Sequence, residues 1–323
     1  MLPYILLIVG FVLLIKGADL LVDGASSIAR RLEISDLVIG LTVVAFGTST
    51  PELSVNLISS INGNTGIAVG NVIGSNIANI LLILGVSSMI YPLSVSKGTV
   101  WKEIPFSLLA TVVFAVIAND ALIDGAGTSA IGRGDGLVLL SFFAIFLYYS
   151  FSIASAIDGM DSEIPSGTRS LPGATVRVLL GLTGLTLGGK WIVDGAVTVA
   201  MSFGLSEALV GLTIVAIGTS LPELATSGMA AYRRNVEIAV GNVVGSSIFN
   251  VLLVLGLSST IRPLPFDPSS NPDILVLLGA SLLLFFSMFT LKRRSVDRIE
   301  GGVFFIFYLT YMAFLVIREA GLS

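Results

Sequence analysis

Two glutamates stand where a carboxylate has few structural uses. Glu52 closes Gly-Thr-Ser-Thr-Pro-Glu (residues 47–52) and Glu223 closes Gly-Thr-Ser-Leu-Pro-Glu (residues 218–223), both deep inside apolar segments. An ionised residue at the bilayer centre costs about 2.5–3.5 kcal/mol on insertion scales, so such an acid reads first as functional. Thr48, Ser49 and Glu52 can share one helix face, and Thr219, Ser220 and Glu223 repeat the arrangement. Further along, Ser75 and Asn79 are spaced i,i+4, mirrored by Ser246 and Asn250. Pro51 and Pro222 lack the amide N–H that would bond the carbonyl four residues back. That predicts free carbonyls around Gly47 and Gly218, extending to Ala45, Thr48, Ala216 and Thr219. Exposed carbonyls at this depth are tolerated only where they line a cavity or hold an ion. Gly70, Gly74, Gly241 and Gly245 suit close helix packing, and Asn71 and Asn242 are read as packing residues. The inventory is all oxygen, which suits calcium, sodium or magnesium rather than zinc or copper. One Ca²⁺ would neutralise both acids and several Na⁺ could replace it, which favours obligate exchange over uniport.

The elements that position these groups are membrane helices. The chain has 323 residues, 54% hydrophobic and only 12% charged, with mean hydropathy +0.97. A spanning helix needs about 20 mostly apolar residues. That rule predicts ten spans, at 3–24, 36–60, 66–90, 104–119, 135–155, 173–195, 207–231, 237–261, 273–291 and 301–317. With the N-terminus outside, the inner loops hold eleven Lys and Arg, among them Arg30, Arg31, Arg233 and Arg234; the outer loops hold Arg133, Arg262 and Arg318. The positive-inside rule favours that orientation, and ten spans return the C-terminus to the outside.

The chain is also duplicated. GLTVVAFGTSTPELSVN (40–56) matches GLTIVAIGTSLPELATS (211–227) at 11 of 17 positions, and GNVIGSNIANI (70–80) matches GNVVGSSIFNV (241–251) at seven of 11, with one offset of 171. Each half holds five spans, an odd number, so the second half enters from the opposite side. Inverted repeats with interrupted helices are a transporter signature, with the substrate between repeats near the midplane. The predicted organisation is a first repeat over 1–155 (motif 40–80), a short cytoplasmic linker over 156–172 and a second repeat over 173–323 (motif 211–251).

Composition excludes other functions. There is no cysteine and no histidine, which removes disulfides, thiolate sites and His-based catalysis. A net charge of −4 without a basic tail excludes nucleic acid as a partner. A Ser-Lys hydrolase would need Lys16 or Lys190, but each sits toward a helix end with acids nearby (Asp19 and Asp23; Asp194), which suits snorkelling and local pairing. No enzyme activity and no cofactor are expected; the ions are substrates and the bilayer is the surrounding partner.

The paired GTSxPE stretches, with GNVIGSNIAN and GNVVGSSIFN, resemble the α-repeats of the sodium/calcium exchanger family of calcium/cation antiporters. The resemblance covers the whole chain and implies an all-α membrane protein with ten transmembrane helices as two inverted five-helix repeats. It implies a multi-pass cell-membrane antiporter that exchanges Na⁺ for Ca²⁺ by alternating access, three Na⁺ against one Ca²⁺, with the first and sixth helices sliding across the core. By motif position, Glu52 and Glu223 would coordinate calcium and share in sodium binding, and Thr48 and Thr219 would give carbonyls to calcium. Ser49, Ser75, Ser220 and Ser246, with the carbonyls of Ala45 and Ala216, would bind sodium, and Asn79 and Asn250 would line the central site. Some relatives, including potassium-dependent ones, carry Asp where Asn250 stands, so no potassium requirement is expected. The short linker leaves no room for calcium-sensing domains, which suits a minimal prokaryotic type. The alternative within the superfamily is a Ca²⁺/H⁺ exchanger, in which the two acids carry protons; a passive channel would need no counter-ion.

Overall fold

Eight helices long and apolar enough to cross a membrane, and a ninth span made of a bent pair, account for most of the described residues. The computed structural model describes residues 2–123, 125, 127–155, 170–202 and 216–319. The predicted linker, but for its last three residues, falls outside these, as do residues 211–215 of the second motif. In chain order the main helices are α1 (Leu2–Arg31), α2 (Asp36–Thr48), α3 (Thr50–Asn62), α4 (Thr65–Ile90), α5 (Lys97–Ile117), α6 (Arg133–Ser155), α7 (Leu171–Ser202), α8 (Leu221–Tyr232), α9 (Val236–Ile261), α10 (Asn271–Ser287) and α11 (Arg298–Glu319). Helix α8 and the helical turn Ala216–Gly218 are the described part of the seventh predicted span.

α4 and α9 are the innermost spans, with 78% and 94% of their apolar windows buried, against 22–39% for the other continuous spans. The outer helices turn residues such as Ile8, Phe11, Tyr148, Leu275 and Ile306 outward, as a lipid-facing surface requires. α1 and α7 pack against each other more extensively than any other described pair. Their contact is set by glycine. A Cβ at Gly17 would lie 2.8 Å from the Gly181 carbonyl oxygen, and one at Gly181 would lie 2.7 Å from the Leu21 nitrogen. Only backbone fits there, so the two helices touch main chain to main chain.

The second predicted span is not one helix. It breaks at Ser49 (φ −82°, ψ 6°), and the two pieces meet at 46°. Pro51 then sits in the first turn of α3, where a missing N–H costs nothing. Ser220 (φ −86°, ψ 3°) and Pro222 repeat this at the start of α8. A second departure from regular geometry is shared by the repeats. π-helical stretches occupy Ala78–Leu84 in α4 and Phe249–Leu255 in α9, carrying Asn79 and Asn250. Such stretches recur at functional sites because they expose groups an α-helix would bury in its ladder.

Two small antiparallel ladders make the inversion visible. β1 (Leu93–Ser94) pairs with β4 (Ser295–Val296), and β2 (Ser129–Ile131) pairs with β3 (Leu264–Phe266). β1 and β3 are equivalent in the duplication. Span α5 separates β1 from β2, so the ladders lie at opposite ends of the bundle, and each joins one repeat to the other.

The polar ends of α1 differ from expectation. Asp23 pairs with Arg177 of α7 at 2.8 Å and with Arg233, after α8, at 3.7 Å; Asp19 also pairs with Arg233. These acids were expected to pair locally with Lys16. The fold instead brings in arginines distant in sequence; separately, α1 and α7 run past their predicted ends, to Arg31 and Ser202.

Candidate functional site

The breaks at Ser49 and Ser220 aim two helix N-termini, those of α3 and α8, into the middle of the bundle. Each carries its glutamate in the first turn, where the positive end of the helix favours a carboxylate. Glu52 and Glu223 are each 1% exposed and lie close enough to interact electrostatically. α3 packs against the π-stretch that carries Asn250, and α8 against the one that carries Asn79. The two repeats therefore interleave around one interior.

Thr48, Ser49, Ser75, Asn79, Ser220, Ser246 and Asn250 are all buried. Glu223 is the better partnered acid: its Oε1 accepts from Ser49 Oγ at 3.0 Å and from Ser246 Oγ at 3.4 Å. The first of these bonds crosses between repeats. The equivalent groups around Glu52 are not joined. Both Glu52 oxygens, Ser220 Oγ and Ser75 Oγ are buried with no hydrogen-bond partner, as are Glu223 Oε2, Thr219 Oγ1, Asn79 Oδ1 and Asn250 Oδ1. Thr219 lies beside Glu52 without a hydrogen bond of good geometry. Native proteins rarely leave buried polar atoms unpaired, so a concentration of them marks a place for a ligand. All of these atoms are oxygens. Two carboxylates, hydroxyls and amide oxygens fit a hard cation that takes 6–8 oxygen ligands in flexible geometry.

The carbonyls follow the proline argument only in part. Pro51 offers Gly47 no N–H, but the Ala45 carbonyl keeps its ladder partner, Ser49 N at 2.9 Å, and accepts from Thr48 Oγ1 at 3.3 Å. The break falls one residue too late to free it. On the other repeat Ser220 N donates to Ile217 O at 3.1 Å, a tighter turn. Ala216 opens the helical turn Ala216–Gly218 that precedes the break at Ser220. The two motifs are thus alike in sequence and unequal in hydrogen bonding.

Other polar residues hold the frame. Thr48 Oγ1 donates to Asn242 Oδ1 at 3.0 Å, and Asn242 Nδ2 donates to Ser227 Oγ at 2.9 Å. Asn71 Nδ2 donates to Asn56 Oδ1 at 2.8 Å. These bonds suit the packing role read for Asn71 and Asn242. Asn76 and Ser247, a repeat-related pair at the shared offset, were not singled out from the sequence. They bond across the repeats at the bundle centre, Asn76 Nδ2 to Ser247 O at 3.2 Å. Their matching positions in the duplication were the signal that could have found them.

Two crevices flank this interior. One, about 630 Å³, is lined by Asp23, Ser26, Arg30, Asp36, Arg233 and Glu237. The other, about 240 Å³, reaches Thr219 and Gly218 past Pro51, Pro222, Lys190 and Asp194.

Comparison with known proteins is consistent with this geometry. The sodium/calcium exchanger protein family model matches residues 2–152 and 173–317. The putative antiporter CaxA of Alkalimonas amylolytica is 40% identical over 318 residues, covering 96% of this chain and 98% of its own. The sodium/calcium exchanger MaX1 of Methanosarcina acetivorans is 32% identical over 346 residues, covering 97% and 98%. Among solved structures, the sodium-calcium exchanger NCX_Mj soaked with 2.5 mM Na⁺ and 0.1 mM Ca²⁺ aligns with a TM-score of 0.83 at 35% identity, over 97% of this chain and 98% of that one.

Proposed function

This chain belongs to the sodium/calcium exchanger family, a family of membrane antiporters and not of enzymes, and we propose that it exchanges Na⁺ for Ca²⁺ at the interior built around Glu52 and Glu223. The observation that carries the proposal is the cluster of buried, unpartnered oxygens contributed by both repeats. Two carboxylates match the charge of one Ca²⁺. Glu52 and Glu223 would ligate it directly, with the carbonyls of Thr48 and Thr219. Na⁺ would take Ser49, Ser75, Ser220 and Ser246 with the carbonyls of Ala45 and Ala216, and Asn79 and Asn250 would line the centre. Ligation by Ala45 would replace one of the two hydrogen bonds its carbonyl now accepts.

Exchange follows from electrostatics. Two ionised acids buried near mid-membrane cost several kcal/mol each without a cation. The protein therefore crosses between access states loaded, with Ca²⁺ or with Na⁺. Three Na⁺ against one Ca²⁺ would move one net charge, worth about 2.3 kcal/mol per 100 mV. The two repeats, 1–155 and 173–323 with the linker 156–172 between them, would form the two halves around the site. The N- and C-termini would lie outside and the basic loops inside, in a cell membrane.

The test is ⁴⁵Ca²⁺ uptake into proteoliposomes loaded with Na⁺, K⁺ or a proton gradient, with Glu52→Gln as control. Uptake that requires internal Na⁺ and disappears in the variant supports the proposal. Uptake indifferent to Na⁺ and driven by a pH gradient would refute it in favour of proton exchange.

A further inference from the structure

We propose that Asn76 and Ser247 are positioning residues that fix which end of the Asn250 and Asn79 amides faces the cation. This rests on the site described under Proposed function and deepens it. An asparagine can present a carbonyl oxygen, a cation ligand, or an amino group, which repels a cation. Which end faces inward is decided by its neighbours, and here the neighbours leave one solution.

Start from a group with no choice. The Ser247 backbone carbonyl can only accept, so the Asn76 atom 3.2 Å from it is the Nδ2 donor. The other end of Asn76 is therefore its Oδ1, an acceptor. Asn250 meets that oxygen at 3.1 Å and must offer Nδ2. Asn250 Oδ1 is left buried and without a partner. The second relay starts at the Val243 carbonyl, which takes the Ser247 hydroxyl proton at 2.9 Å. The Ser247 oxygen then has only lone pairs for Asn79, whose Nδ2 lies 3.5 Å away. Asn79 Oδ1 is in turn buried and unpartnered. The relays share Ser247, one through its backbone and one through its side chain, and each begins at a main-chain carbonyl that cannot reverse.

The experiment is equilibrium ⁴⁵Ca²⁺ binding to the purified full chain, in a double-mutant cycle. Asn76→Ala leaves Asn250 Nδ2 buried without its acceptor whenever Oδ1 faces the cation, and the apparent Ca²⁺ affinity is expected to fall roughly tenfold or more, the penalty of one unsatisfied buried donor. Asn250→Asp supplies the second background. Both ends of an aspartate are oxygens, so orientation no longer matters, and Asn76 Oδ1 now opposes another acceptor. In that background Asn76→Ala is expected to cost less than threefold, or to improve binding. A packing role for Asn76 would cost the same factor in both backgrounds, and that result overturns the proposal. If Asn76→Ala does not fold, Ser247→Ala makes the same comparison against Asn79→Asp, with the same two outcomes. Wild-type protein that binds no Ca²⁺ overturns both this proposal and the functional one. Wild-type binding with equal costs in the two backgrounds overturns this one alone.

Discussion

Replacing Glu52 by glutamine removes a charge and keeps the shape. Both oxygens of Glu52 are buried and neither has a hydrogen-bond partner, so the substitution breaks no protein contact and isolates the charge. Removing one member of a buried charge pair costs about 3–5 kcal/mol. Applied to the contact with Ca²⁺, that is a fall in affinity of roughly 10²-fold to more than 10³-fold. Thermal unfolding with and without Ca²⁺ reads this without a transport assay. At 100 times the wild-type Kd, Ca²⁺ stabilises the protein by about 2.7 kcal/mol; a hundredfold weaker variant at the same concentration gains about 0.4 kcal/mol. The ion-free protein should move the other way, because an uncompensated buried acid no longer opposes folding. The expected pattern is a variant at least as stable as the wild type without Ca²⁺ and nearly indifferent to adding it. A Glu52→Gln protein that keeps the full Ca²⁺-induced stabilisation would refute the placement of the ion at this acid.

Ser49→Ala removes the 3.0 Å cross-repeat bond to Glu223 and should weaken Na⁺ dependence of exchange by roughly tenfold, the worth of one charge-assisted bond; a Na⁺ titration of uptake checks it. Arg233→Ala removes the links to Asp19 and Asp23, which are partly exposed, so global stability should change by less than about 1 kcal/mol. It should still shift access, and because the chain has no cysteine, a Ser26→Cys reporter in the adjoining crevice can measure this as a change in labelling rate of up to about fivefold. Gly181→Ala places a Cβ 2.7 Å from the Leu21 nitrogen and should destabilise by about 1–3 kcal/mol, whereas Gly66→Ala, with open space around it, should be neutral or stabilising by up to about 1 kcal/mol; parallel thermal unfolding separates them.

The duplication carried most of what could be read in advance. Pro51 and Pro222 announced the breaks at Ser49 and Ser220 because proline's effect on a helix is local. The π-stretches at Ala78–Leu84 and Phe249–Leu255 were not legible, since they lie in apolar runs buried on nearly every side, where no periodicity records the turn. The unequal partnering of Glu52 and Glu223 was invisible for a different reason. Nearly identical motifs cannot encode an asymmetry that arises from how two repeats settle against each other. Arg177 and Arg233 were missed as partners of α1 because sequence spacing shows only neighbours at i,i+3 and i,i+4, and these contacts exist only after the helices pack.

The two strand ladders bear on how the protein is made. β1 waits for β4 and β2 waits for β3, so each pairing spans more than a hundred residues and neither can close on the first repeat alone. During synthesis the first five spans enter the bilayer with two unpaired strand edges and with Glu52 lacking its opposite acid. Strand pairing at both ends of the bundle is then a late event, because β3 follows α9 and β4 follows α10. A ribosome that stops after the first repeat leaves an open half with exposed edges, a substrate for membrane quality control rather than a smaller carrier.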